Sequence, residues 1–74
     1  MTNKIPGKVK WFKKEKGYGY ISGYDGEDYY FEILNLSVDI EEIKENVEVL
    51  FIPNINLEMS YADKIELNLN DKEK

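Results

Sequence analysis

The chain contains no cysteine, no histidine and no arginine among its 74 residues. Without cysteine there is no disulfide, and without cysteine or histidine there is no zinc site of the usual kind. The same absence removes the side chains that most often act as nucleophile or as base near neutral pH, which argues against an enzyme. Asp25, Glu27 and Asp28 are close enough in sequence for a metal loop, yet their spacing is equally that of a hairpin turn and matches no recognised signature. No metal or cofactor is expected. No stretch approaches the roughly 20 apolar residues that cross a bilayer, and the opening MTNKIPGK holds no apolar run of the signal-peptide kind. Lack of cysteine also fits a reducing compartment. A cytoplasmic protein with no membrane partner is expected.

What is present is unevenly divided. The formal net charge is −5. Residues 1–24 carry six lysines against Glu15 alone, a net +5, while residues 25–74 carry four lysines against fourteen acids, a net −10. The length allows one core, expected over residues 1–70, followed by a polar tail at 71–74 that frays. A core of this size leaves about 3–5 kcal/mol of net stability.

The chain reads as five short strands. KVKWFKK is rich in strand formers and follows the Pro6-Gly7 turn signal. In YGYISGY, Tyr18, Tyr20, Ser22 and Tyr24 fall on one side and Gly19, Ile21 and Gly23 on the other. Asp25-Gly26 is a hairpin signal, and DYYFEI is a third strand. The segment SVDIEEIKEN predicts a loop with at most a short helix, capped by Asp39 and with Ile40 and Ile43 on one face. VEVLFI is a fourth strand, expected to stop at Pro53, and YADKIELNL a fifth, with Ile65, Leu67 and Leu69 alternating with polar residues. Five strands with no room for crossover helices predict an all-β, antiparallel, closed five-stranded barrel. Glycines 17, 19 and 23 suit a sharply curved second strand.

One stretch, KWFKKEKGYGYISGY, interleaves lysines with large rings. Small or apolar residues opposite Tyr18 and Tyr20 send those rings outward, beside Lys10, Lys13, Lys14 and Lys16. A single tyrosine exposed on a sheet needs no ligand. A contiguous cluster of Trp11, Phe12, Tyr18, Tyr20 and Tyr30 set among cations is a different matter. Rings that stack bases and ammonium groups that meet phosphates are what an unpaired nucleic-acid strand requires. The string Lys16-Gly17-Tyr18-Gly19-Tyr20-Ile21 also fits the first ribonucleoprotein motif. It starts too early for an RNA-recognition-motif domain, with space for only one strand before it. The rival reading is a barrel used as a protein-interaction module, since Tyr and Trp also favour protein interfaces. Five lysines between Lys8 and Lys16 favour nucleic acid. With no arginine to read guanine through a two-pronged fork, discrimination between sequences is expected to be shallow.

The stretch GKVKWFKKEKGYGYI, Gly7 to Ile21, resembles the opening of bacterial cold-shock proteins: Gly-x-Val-Lys-Trp-Phe, a few polar residues, then Lys-Gly-Phe-Gly-Phe-Ile. Asp28-Tyr29-Tyr30-Phe31 sits where that family has its second motif, and Ala62-x-x-Ile65 resembles its last strand. The resemblance implies an oligonucleotide-binding barrel, an OB-fold, that takes single-stranded RNA and DNA with little sequence preference, favouring pyrimidine-rich strands. It implies a stacking platform of Trp11, Phe12, Tyr18, Tyr20 and Tyr30, with Lys8, Lys10 and Lys16 on the backbone; charge proximity adds Lys13 and Lys14. A monomer acting as an RNA chaperone or regulator of gene expression is expected, a dimer through sheet edges or an exchanged strand being the lesser variant. Strict alternation puts Trp11 on the face of Val9, whereas the family exposes one and buries the other; a bulge or strong twist would reconcile them. The second motif departs from the family's Phe-Val-His-Phe. Here Tyr30-Phe31-Glu32-Ile33 replaces a polar ring with an anion and a stacking ring with an aliphatic chain. Glu32, Glu41, Glu42 and Glu45 are expected to weaken the hold on a polyanion.

Overall fold

The computed structural model describes residues 3–69. The anticipated tail at 71–74 lies outside them. Strand β1 (Ile5–Lys13) leads through a lysine-rich turn to β2 (Tyr18–Gly23), and a hairpin at Asp25-Gly26 leads to β3 (Asp28–Glu32). Two single 3₁₀ turns, Ile33–Asn35 and Ile40–Glu42, precede β4 (Glu48–Ile55) and β5 (Ser60–Leu67). The strands close into a barrel in the order β1-β2-β3-β5-β4. Among the described residues, no helix is long and apolar enough to cross a membrane.

The barrel is not purely antiparallel. β3 meets β5 in parallel through Tyr30 and Tyr61, and a further parallel bridge joins Leu36 to Ile65. The antiparallel expectation came from short connections between successive strands, but the long 33–47 segment places β3 and β5 side by side without a hairpin between them. A second correction concerns Pro53. β4 continues through it to Ile55, with Pro53 opposite Ala62. The pairing with β1 has already ended at Phe51, so at Pro53 the strand has a neighbour on one side only, where a residue lacking an N–H is tolerated.

The core consists of Val9, Ile21, Tyr29, Phe31, Ile43, Val49, Phe51, Ala62 and Ile65, all nearly free of solvent. On β2 the inward residues are Gly19, Ile21 and Gly23, as alternation requires. On β5 the buried pair Ala62 and Ile65 stands three residues apart, which a regular strand cannot bring to one face. Lys64 has left-handed backbone (φ 49°), and β5 advances three residues, Asp63 to Glu66, while β4 advances two, Leu50 to Ile52. The extra residue resets the phase, so Leu67 is half-buried and Leu69 falls beyond the strand, exposed. Asp39 holds the second 3₁₀ turn through its carbonyl, which accepts the Glu42 N–H at 2.9 Å; its carboxylate does not cap. Ile43 follows, directed into the core.

The Tyr29 hydroxyl donates to the Asp25 carboxylate at 2.8 Å, and Asp25 also accepts the Glu27 N–H at 3.1 Å. The hairpin acids thus organise their own turn. Burial, and then the Asp25 bond, push the Tyr29 phenol up to about 12. The bond to the Glu27 backbone, then that to Tyr29, hold the Asp25 carboxyl below its ordinary value. Asp25 therefore supports the fold above the usual carboxylate range, and that support is lost as pH falls; the Tyr29 support is lost as pH rises from about 10 toward 12.

Closure depends on Gly19. A Cβ there would run into the Trp11 carbonyl oxygen and lie 2.9 Å from the Phe12 Cα and 3.0 Å from the Phe31 ring. Two of those neighbours are backbone and cannot step aside. Gly19→Ala is expected to cost about 1–3 kcal/mol through overpacking, seen as a lower urea midpoint at unchanged slope. A wild-type midpoint would contradict this packing.

Candidate nucleic-acid interface

The outer face of β1, β2 and β3 is built in rows. Val9 pairs with Ile21, both inward, but the next pair is Trp11 with Tyr20. β1 has advanced two residues and β2 one, so Lys10 is the extra residue of a β-bulge. Before the bulge the odd residue Val9 points in; after it the odd residue Trp11 points out. This resolves the conflict that strict alternation created.

Three rows follow from the registers. The first is Lys8, Ser22 and Asp28; the second is Lys10 with Trp11, Tyr20 and Tyr30; the third is Lys13, Tyr18 and Glu32. Lysines thus edge the face on β1, rings fill its middle, and acids edge it on β3. Trp11, Tyr18, Tyr30 and Tyr20 form a closed circuit in which each ring touches two others, with centroids 5.4–5.9 Å apart. Three of the four contacts are edge-to-face, an arrangement worth about 0.5–1.5 kcal/mol per pair beyond burial. All four rings are half-exposed on the barrel's exterior.

Phe12 is placed differently from the other four. It pairs with Gly19 on the inward side and stacks on buried Phe31 at 5.5 Å. The same bulge that turns Trp11 out turns Phe12 in. Sequence reasoning missed this because it grouped adjacent aromatics without settling the phase.

The lysines also divide. Lys13 Nζ lies 5.6 Å from the centre of the Trp11 ring, a cation–π contact. Lys10 is bonded to Asp28 at 2.9 Å and Lys14 to Glu41 at 3.0 Å. Among the described residues, neither Lys8 nor Lys16 makes an ion pair or side-chain hydrogen bond. Both ion pairs are partly solvated and of the kind worth about 0–1 kcal/mol, so either is broken at little cost. The Lys14–Glu41 pair shows that the acidic 39–45 segment reaches the β1–β2 turn. Glu42 and Glu45 are exposed.

Glu32 lies beside the rings. Its carboxylate accepts the Tyr30 hydroxyl at 2.8 Å, and its N–H donates to the Asn35 side chain at 2.8 Å. Ile33 leaves the strand to enter the 3₁₀ turn and is exposed, with no ring at that position.

The architecture defines a small closed β-barrel that carries a cluster of four rings flanked by lysines on one three-stranded face. The family pattern described as the "cold-shock" DNA-binding domain matches residues 5–67. This chain therefore belongs to the cold-shock domain family. The cold shock protein CapB of Pseudomonas fragi is 31% identical over 68 residues, which cover 90% of this chain and 99% of that protein. The cold shock-like protein CspI of Escherichia coli is 43% identical over 53 residues, or 69% of this chain and 76% of that protein. Cold shock protein 1 of Lactiplantibacillus plantarum is 39% identical over 46 residues, or 61% and 70%. Membership in this family supports a nucleic-acid-binding function.

The Tyr30–Glu32 bond has a spectroscopic consequence. Ionising the phenol would forfeit the bond and set a second anion beside the carboxylate, and with partial desolvation this pushes Tyr30 up to about 12. Glu32→Gln should return one of the six tyrosines toward the ordinary value of about 10 in an ultraviolet difference titration. Six unmoved tyrosines would show that the bond is not made in solution.

Proposed function

We propose that this protein binds single-stranded RNA and DNA with low sequence specificity, by stacking bases on Trp11, Tyr18, Tyr20 and Tyr30 and holding phosphates with lysines. The observation that carries the reading is the row structure of the outer face, lysines along β1 beside rings that run from Trp11 on β1 across β2 to Tyr30 on β3. Lys8, Lys13 and Lys16 are the cations at hand, and Lys10 becomes available when Asp28 releases it. Phe12 supports the platform from beneath through Phe31 instead of offering a stacking surface. The protein acts without chemistry, by competing with base pairing: stacking stabilises the open strand, and weak local duplexes melt. This is the action of a cytoplasmic RNA chaperone or regulator of gene expression, with the pyrimidine-rich preference that family resemblance implies.

The platform is shorter than the family's usual one, because Ile33 replaces a ring and Glu32 brings a negative charge. Weaker binding follows. Titration with an oligothymidine should quench Trp11 fluorescence, and replacing Tyr18 and Tyr20 together with alanine should cost about 2–6 kcal/mol of binding. Log affinity should fall with log salt at a slope near −0.7 for each phosphate contacted. Undiminished binding by the double variant would overturn the platform. A flat salt response, with a protein partner that co-purifies, would favour the protein-interaction alternative.

A further inference from the structure

Beside the third row of the face lies a recess of about 330 Å³, bounded by the Tyr18 and Tyr30 rings, Lys16, Glu32 and the apolar side chains of Ile33 and Leu34. Leu34 is 89% exposed, so one wall is aliphatic and uncovered. The recess thus combines two aromatic surfaces, an aliphatic wall, one ammonium group and one carboxylate. From that composition, and resting on the single-strand reading above, we propose that Glu32 reads the edge of a base held at this end of the strip. It would select bases that carry an exocyclic amino group over uracil and thymine.

The geometry supplies the direction. Along the third row, Lys13 on β1 and Glu32 on β3 are separated by two strand spacings, about 10 Å, with the Tyr18 ring between them. A nucleotide whose phosphate lies at the lysine edge and whose base covers Tyr18 presents its outer edge to β3. The group waiting there accepts hydrogen bonds and donates none. The carboxylate accepts the Tyr30 hydroxyl at 2.8 Å and, in a capping box, the Asn35 backbone N–H; the two bonds fix the group in place, and of its roughly four lone-pair sites about two remain for a base. Cytosine offers the two hydrogens of its 4-amino group, and a carboxylate accepting from that group is an established mode of base recognition. Uracil and thymine offer one N–H flanked by two carbonyl oxygens, whose lone pairs oppose the carboxylate. A phosphate is repelled from the same spot, so the charge that weakens overall affinity also keeps the edge-reading position clear of backbone.

Oligodeoxycytidine and oligodeoxyuridine heptamers test this, since their bases have rings of one size and differ only at the 3- and 4-positions. Fluorescence titration of the wild-type chain at neutral pH should show the cytidine heptamer bound at least fivefold more tightly. Glu32→Gln, whose amide both donates and accepts, should bring the ratio close to one, mainly through tighter uridine binding. Equal affinities for the two heptamers, or an unchanged ratio in Glu32→Gln, with Trp11 quenching intact, would overturn the edge reading and leave the single-strand reading standing. If neither heptamer quenches Trp11, the strip itself does not bind single strands, and both readings fall.

Discussion

One extra residue, Lys10, organises the aromatic face of the barrel. A strand that alternated strictly from Val9 onward would carry Trp11 into the barrel with it, and Phe12 outward. The bulge inverts the phase within one step of β1, so a single nine-residue strand contributes Val9 to the core, Trp11 to the exterior and Phe12 to the packing over Phe31. Gly19 is the counterpart of this feature on β2. It lets the irregular backbone at Trp11 and Phe12 approach closely enough to close the sheet. The aromatic circuit and the core are therefore not independent designs; each depends on the same local departure from regular pairing.

Electrostatics gives the face its direction. The chain is acidic overall, yet within the rows of the face the acids Asp28 and Glu32 stand on β3 while Lys8, Lys10 and Lys13 stand on β1. Two of the lysines are held by acids in the free protein, Lys10 by Asp28 and Lys14 by Glu41. These exposed pairs add little stability. Their effect is to neutralise part of the positive charge on this side of the barrel, so the face is less basic than its lysine content alone suggests.

Much of this was legible in the sequence, for physical reasons that can be named. The Tyr-Gly-Tyr-Ile alternation assigned both faces of β2, because at Gly19 the interior leaves no space for a side chain and the tyrosines must take the other face. The Asp25-Gly26 turn was legible because left-handed backbone at Gly26 (φ 90°) is a local requirement. Three features were not legible. The parallel contact of β3 with β5 depends on where a long connection returns, which no local pattern encodes. The passage of β4 through Pro53 depends on where its β1 neighbour ends. The inward turn of Phe12 follows from the bulge, which the sequence raised as a way to reconcile Val9 with Trp11 but did not carry forward to the next residue. At the site, the place of Glu32 beside the rings could be read from its spacing to Tyr30; its bond to the Tyr30 hydroxyl could not.

The bulge at Lys10 sets the Trp11 indole outside the barrel, against Tyr18 and Tyr20. Nuclear Overhauser contacts from the indole protons test it most directly. Contacts are expected to the Tyr18 and Tyr20 rings and to the Lys13 side chain, with none to Val9, Ile21 or Phe51. Contacts from the indole to those core side chains would contradict it.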